Sequence, residues 1–108
     1  MRLLESLLLL GSAKGSVVET KNGLIEGTLA KFGDAIVGEY LGIPFAKPPV
    51  GKLRFKHPER PESWSEILET KERKPLCSQE KVWEGFTNSE DCLFLDVYTP
   101  SEVGWPRR

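Results

Sequence analysis

The chain has little of what metal, redox and nucleic-acid chemistry need. There is one histidine, His57, and there are two cysteines, Cys77 and Cys92, in 108 residues. A single His and no CxxC spacing exclude a His-rich or paired-cysteine zinc site. No basic block occurs, and the 15 Lys and Arg are interspersed with 16 Asp and Glu to a net charge of −1. That argues against a nucleic-acid or membrane-surface partner. No apolar stretch is long enough to span a bilayer; the longest unbroken leucine run, Leu7–Leu10, is four residues. There is no N-x-[ST] acceptor for glycosylation.

What is present suits one small ordered domain at most. Hydrophobic residues make up 39% and charged residues 29%, the ordinary range for a soluble globular protein. Three Trp, two Tyr and five Phe argue against a disordered chain. Ten Gly and eight Pro predict many turns and few long helices. Residues 1–13, MRLLESLLLLGSA, admit two readings. The basic start, the leucines and Gly11 and Ala13 at −3 and −1 resemble a short secretory signal. Glu5 and the short apolar run instead suit a frayed or helical terminus.

From Ser16 the pattern is short strands and tight turns. Val17–Thr20 reads as a strand and Asn22-Gly23 as a hairpin signal, because both residues tolerate positive φ. Leu24–Lys31 reads as the return strand and Ala35–Leu41 as a third, giving a three-stranded antiparallel meander. Ile43–Pro61 carries five prolines, so an ordered extended coil is predicted, pinned by Phe45, Leu53 and Phe55. Trp64–Arg73 fits a short strand at Ile67–Thr70 or a helix over its charged end, with Lys71–Lys74 as a solvated face. Leu93–Tyr98 is apolar on both faces, which predicts a strand buried on both sides and stopped by Pro100. The 14 residues between Cys77 and Cys92 allow either a loop-closing disulfide or two reduced, buried thiols.

Five ordered stretches then carry a resemblance. They are VVETKNGLIEG, YLGIPFAKPPVGKLRFKHP, Trp64, KPLCSQ and SEDCLFLDVYTP. In that order and spacing, residues 16–100 resemble the N-terminal region of type-B carboxylesterases, the family that includes cholinesterases. The implied fold class is α/β. The chain would be the N-terminal part of an α/β-hydrolase fold, mostly β-strands and ordered coil, with residues 101–108 as a truncated tail. The resemblance implies a Cys77–Cys92 disulfide, a structural salt bridge between Arg54 and Glu90, and no metal or cofactor. By analogy with cholinesterases it also makes Trp83 a candidate substrate-gorge contact through cation–π attraction. Packing or partial exposure is the plainer reading of Trp83.

The family's chemistry uses a Ser nucleophile, a His base, an orienting acid and backbone oxyanion donors. Neither the GxSxG elbow nor an HGGG-type oxyanion loop occurs in the 108 residues. Ser12 and Ser16 follow glycines without that spacing. His57 reads as a surface or packing residue, so no catalytic residue is assigned. The leading expectation is a fragment of a carboxylesterase-like serine hydrolase, itself catalytically incompetent. An ester substrate is implied only for a complete relative, and the isolated chain is expected to self-associate. The alternatives are a fragment of a neuroligin-type, non-catalytic adhesion protein and a small disulfide-stapled binding domain. A disulfide suits a secreted or endoplasmic-reticulum-lumenal protein; the poor leader leaves a cytoplasmic alternative.

Overall fold

A computed structural model describes residues 16–100. The signal-peptide reading of residues 1–13 and the tail at 101–108 lie outside the described residues. Among the described residues there are eight strands and a 3-10 turn. Strands β1 (Val17–Thr20) and β2 (Gly23–Glu26) form an antiparallel hairpin, with Thr20 opposite Gly23. The turn therefore consists of Lys21 and Asn22. The Thr20 hydroxyl organises it: Oγ1 accepts from the backbone N–H of Asn22 (3.1 Å) and of Gly23 (3.2 Å) and donates to the Gly23 carbonyl (2.7 Å). Of the Asn-Gly pair, Gly23 alone takes positive φ. The Asn22 amide instead donates to the Pro61 carbonyl at 3.3 Å, tying the hairpin to the proline-rich coil.

The expected meander is not one sheet. The return strand is broken at Gly27, and the chain passes to a second sheet as β3 (Thr28–Phe32) and β4 (Ala35–Pro44). The break is steric. A Cβ at Gly27 would lie 2.3 Å from the Glu39 carbonyl oxygen and 2.6 Å from the Tyr40 ring, so the backbone passes here only without a side chain. The first sheet is completed by β5 (Leu68–Glu69), parallel to β2. The second is completed by β8 (Phe94–Pro100), antiparallel to β4. The helical alternative for Trp64–Arg73 is replaced by β5 because Thr70 is needed between the sheets. Its N–H (2.8 Å) and hydroxyl (2.9 Å) both donate to the Glu26 carbonyl, and its own carbonyl accepts from Leu41 N–H at 2.8 Å. Thr70 is fully buried, with Ile25, Tyr40, Leu41, Ala46 and Ser16 buried as well. This small core sits where the two sheets meet.

The proline-rich segment is coil, as its composition predicts, with one 3-10 turn at Gly51–Leu53. Ile43 and Pro44 instead belong to the end of β4. Two of the three expected pins are also corrected. Phe45 is half exposed and Phe55 is 95% exposed, whereas Ala46 is buried. The segment is closed on itself by Lys47 N–H donating to the Glu59 carbonyl at 2.9 Å. The largest correction concerns β8. Expected to be buried on both faces, it is the outer strand of the order β3-β4-β8, with Leu95, Val97 and Tyr98 all more than two-fifths exposed. Pro100 is the last residue of β8, as expected, and it still pairs with Val37. Among the described residues no helix is long and apolar enough to cross a membrane.

Candidate functional site

The chemistry-bearing residues gather around the start of β8. Two short strands, β6 (Leu76–Cys77) and β7 (Asn88–Ser89), pair in parallel and bring the ends of an intervening loop together. Cys77 and Cys92 are joined as a disulfide with an S–S distance of 2.01 Å. Side-chain amides stiffen the loop mouth. Asn88 Nδ2 donates to the Gln79 carbonyl and Gln79 Nε2 to the Cys77 carbonyl, each at 3.0 Å. The Ser89 hydroxyl accepts from Asp91 N–H at 3.1 Å. Closing a loop of this length stabilises the fold by about 3 kcal/mol in the chain-entropy account.

Arg54 reaches the loop from the proline-rich coil. Its Nε lies 3.1 Å from Glu90 Oε1, with both side chains about half exposed. A pair this wet contributes under about 1 kcal/mol. Trp83 lies at the far end of the loop, 76% exposed, its ring edge-on to Phe86 at 6.3 Å. Trp83 lines neither the depression beside the disulfide nor the one beside Arg54 and Glu90.

A second cluster was missed in the sequence. Asp96 of β8 accepts from Gly42 N–H at 2.9 Å through Oδ1, and Arg73 Nη1 lies 3.4 Å from its Oδ2. The register between β4 and β8 shifts between Tyr40 and Ile43, and Gly42 takes φ +76° there. Asp96 thus caps the N–H that the irregularity would otherwise leave without a ladder partner. Arg73 also donates to Tyr98 Oη at 3.1 Å and lies over the Phe86 ring at 5.7 Å. Lys71 pairs with Glu26 at 3.7 Å. The run at Lys71–Lys74 is exposed throughout, as expected of a solvated face, and Lys71 and Arg73 make ion pairs from it. The one signal available was the alternation of β8, which places Phe94, Asp96 and Tyr98 on one side.

Arg73, Phe86, Phe94, Asp96 and the disulfide line a depression of about 250 Å³. It contains no nucleophile paired with a base. His57 is exposed in the coil and makes no hydrogen bond or ion pair among the described residues. No group of three or more His, Cys, Asp and Glu side chains is placed to hold a metal among the described residues. Both carboxylate oxygens of Asp96 are engaged, one by a backbone N–H and one by Arg73. What the arrangement does chemically is hold backbone in place.

Comparison with known proteins identifies the family. The sequence profile of the carboxylesterase family matches residues 14–107. Liver carboxylesterase 1 of Oryctolagus cuniculus is 42% identical over 104 residues, covering 81% of this chain and 18% of that protein. The medium-chain fatty acyl-CoA hydrolase precursor of Anas platyrhynchos is 41% identical over 99 residues, covering 77% and 18%. Acylcarnitine hydrolase of Mus musculus is 40% identical over 99 residues, covering 78% and 18%. The chain thus spans under a fifth of the length of these relatives. With the profile matched over most of its residues, and with strands and disulfide where the motif order places them, the chain belongs to the carboxylesterase family.

Proposed function

We propose that residues 16–100 are the opening scaffold segment of an α/β-hydrolase domain of the type-B carboxylesterase kind, and that the chain of 108 residues has no esterase activity by itself. One observation carries the reading. The family profile covers residues 14–107, yet the same residues hold neither a nucleophile elbow nor an oxyanion loop. A domain that includes this segment would hydrolyse carboxylic esters through an acyl-enzyme, with the Ser, His and acid contributed by other segments. The relatives named for acyl-CoA and acylcarnitine hydrolysis favour acyl esters or thioesters as substrates for such a domain. The segment's own part is structural. The disulfide and the Arg54–Glu90 pair set the approach to β8, and Asp96 fixes how β8 sits on β4. An oxidising compartment, secreted or lumenal, suits the disulfide.

The purified chain is tested with p-nitrophenyl esters. The expected result is turnover no faster than buffer. Turnover that a serine-directed organophosphate abolishes would overturn the reading. Because β8 presents an open edge and exposed apolar side chains, the isolated chain is expected to self-associate. A concentration-independent monomer in size-exclusion chromatography with light scattering would refute that part alone.

A further inference from the structure

The Asn22-Gly23 pair carries a chemistry that the hairpin does not use. An asparagine side-chain amide is open to attack by the next backbone nitrogen, and most open where that residue is glycine, which has no Cβ to obstruct the approach. The fold holds this pair so that the attack cannot start. A deprotonated amide nitrogen attacks through the electron pair left in its N–H direction. The Gly23 N–H must therefore point at Asn22 Cγ, and it points at Thr20 Oγ1 instead, at 3.2 Å. The other end of the same peptide plane is held too, since the Asn22 carbonyl accepts from Trp64 N–H at 2.9 Å. The Asn22 side chain is anchored separately, its Nδ2 donating to the Pro61 carbonyl at 3.3 Å. Trp64 closes the remaining space. Its indole Nε1 donates to the Leu24 carbonyl at 2.8 Å, and a Cβ on Gly23 would lie 2.4 Å from that nitrogen.

We propose that Asn22 is a deamidation site that opens only when the hairpin parts locally from the proline-rich coil, so that the modification records that opening. The step needs water alone as co-reactant. In the open state Gly23 N gives its proton to solvent and bonds to Asn22 Cγ. The Cγ–Nδ2 bond breaks, and Nδ2 leaves as ammonia with a proton taken from water. Water then opens the cyclic imide at one of its two carbonyls. Addition at Cγ leaves aspartate at position 22; addition at the main-chain carbonyl leaves isoaspartate, with the backbone routed through Cβ and Cγ. Neither product restores the closed arrangement. The donor to the Pro61 carbonyl is lost, and a carboxylate acceptor faces that acceptor in its place. Isoaspartate also adds a backbone atom to a turn in which Thr20 must meet Gly23. Opening is reversible and the modification is not. Asn88-Ser89 provides a comparison inside the same chain, because its Nδ2 is held by the Gln79 carbonyl at 3.0 Å and not by the coil.

The 108-residue chain is incubated in mildly alkaline buffer, with and without urea. Peptide mass spectrometry follows the exchange of NH2 for OH at Asn22 and Asn88, and isoaspartate identifies the imide route. Deamidation of Asn22 is expected to be slow in buffer and fast in urea. Thr20→Val removes the oxygen that holds Gly23 N–H. It is expected to raise the rate at Asn22 in buffer about tenfold, equivalent to about 1.4 kcal/mol of lost hydrogen bonding. Thr20→Ser keeps that oxygen and is expected to keep the wild-type rate. Asn88 is expected to keep its rate in both variants. In the modified chain, hydrogen exchange is expected to show the Trp64 amide without protection. Equal rates at Asn22 in buffer and in urea overturn the proposal, as does a Thr20→Val rate no different from wild type. A rise at Asn88 matching that at Asn22 also overturns it, because the variant then acts by unfolding the whole chain and not by a local opening. A modified chain whose Trp64 amide stays protected overturns the parting of hairpin and coil. None of these outcomes bears on the scaffold reading.

Discussion

Strands β4 and β8 lie side by side and are both rich in apolar residues, yet they end in opposite environments. β4 is buried at Gly38, Tyr40, Leu41 and Gly42, whereas β8 is exposed from Leu95 onward. The difference lies in their neighbours. β4 pairs with β3 over Ala35–Glu39 and with β8 from Val37 to Pro44, and receives Thr70 and Lys71 at Leu41. β8 has β4 alone. Burial of an apolar strand is thus decided by how many elements lie against it, and not by the strand's own composition. The exposed strand is also the one whose start is fixed by the disulfide and whose middle is fixed by Asp96. Side chains hold β8 where packing does not.

Four measurements break or sharpen this contrast. The largest effect is expected for Tyr40→Ala in β4. Removing a buried aromatic costs about 3–5 kcal/mol, enough to unfold a domain of marginal stability. Tyr98→Ala in β8 is expected to cost under about 1 kcal/mol, since that ring is nearly half exposed. Urea titration followed by circular dichroism compares the two, and equal losses would erase the contrast. Next comes the Cys77→Ser, Cys92→Ser double variant, with an expected loss of about 3 kcal/mol. Hydrogen exchange should show the loss concentrated at Phe94–Asp96; uniform exchange across both sheets would mean that the disulfide does not anchor β8 in particular. Third, Gly27→Ala forces a Cβ against the Glu39 carbonyl and is expected to cost about 1–3 kcal/mol. A neutral result in thermal unfolding would show that the crossing between sheets can open without penalty. The smallest effect belongs to Arg54→Gln, under about 1 kcal/mol for so exposed a pair. A loss comparable to that of the cysteine variant would assign the anchoring of β8 to the coil and not to the disulfide.

Parts of the fold were legible because they are written locally. Thr20 to Gly23 specify a hairpin within four residues, and five prolines between Ile43 and Pro61 forbid regular structure over most of that span. The site was legible only as motif order, which identified Cys77, Cys92, Arg54 and Glu90 as residues of interest. Thr70 and Asp96 were not legible. Thr70 acts on Glu26, 44 positions away, and Asp96 on Gly42, 54 positions away. Nothing in their immediate neighbours announces such partners. Gly27 was passed over because its apolar surroundings continue a strand pattern that only the approach of Glu39 and Tyr40 interrupts.

The sequence by itself determined the family, the absence of a nucleophile elbow within these residues, and the alternation that makes β8 a strand. These depend on residue order and on local backbone preference. Tertiary structure alone decided that the apolar residues of β8 stand in the open, that the return strand divides between two sheets at Gly27, and that Phe55 is exposed where a buried pin is expected. Each of those outcomes is set by which distant segments occupy, or leave vacant, the space beside a residue, and a periodic pattern along one chain carries no record of that space.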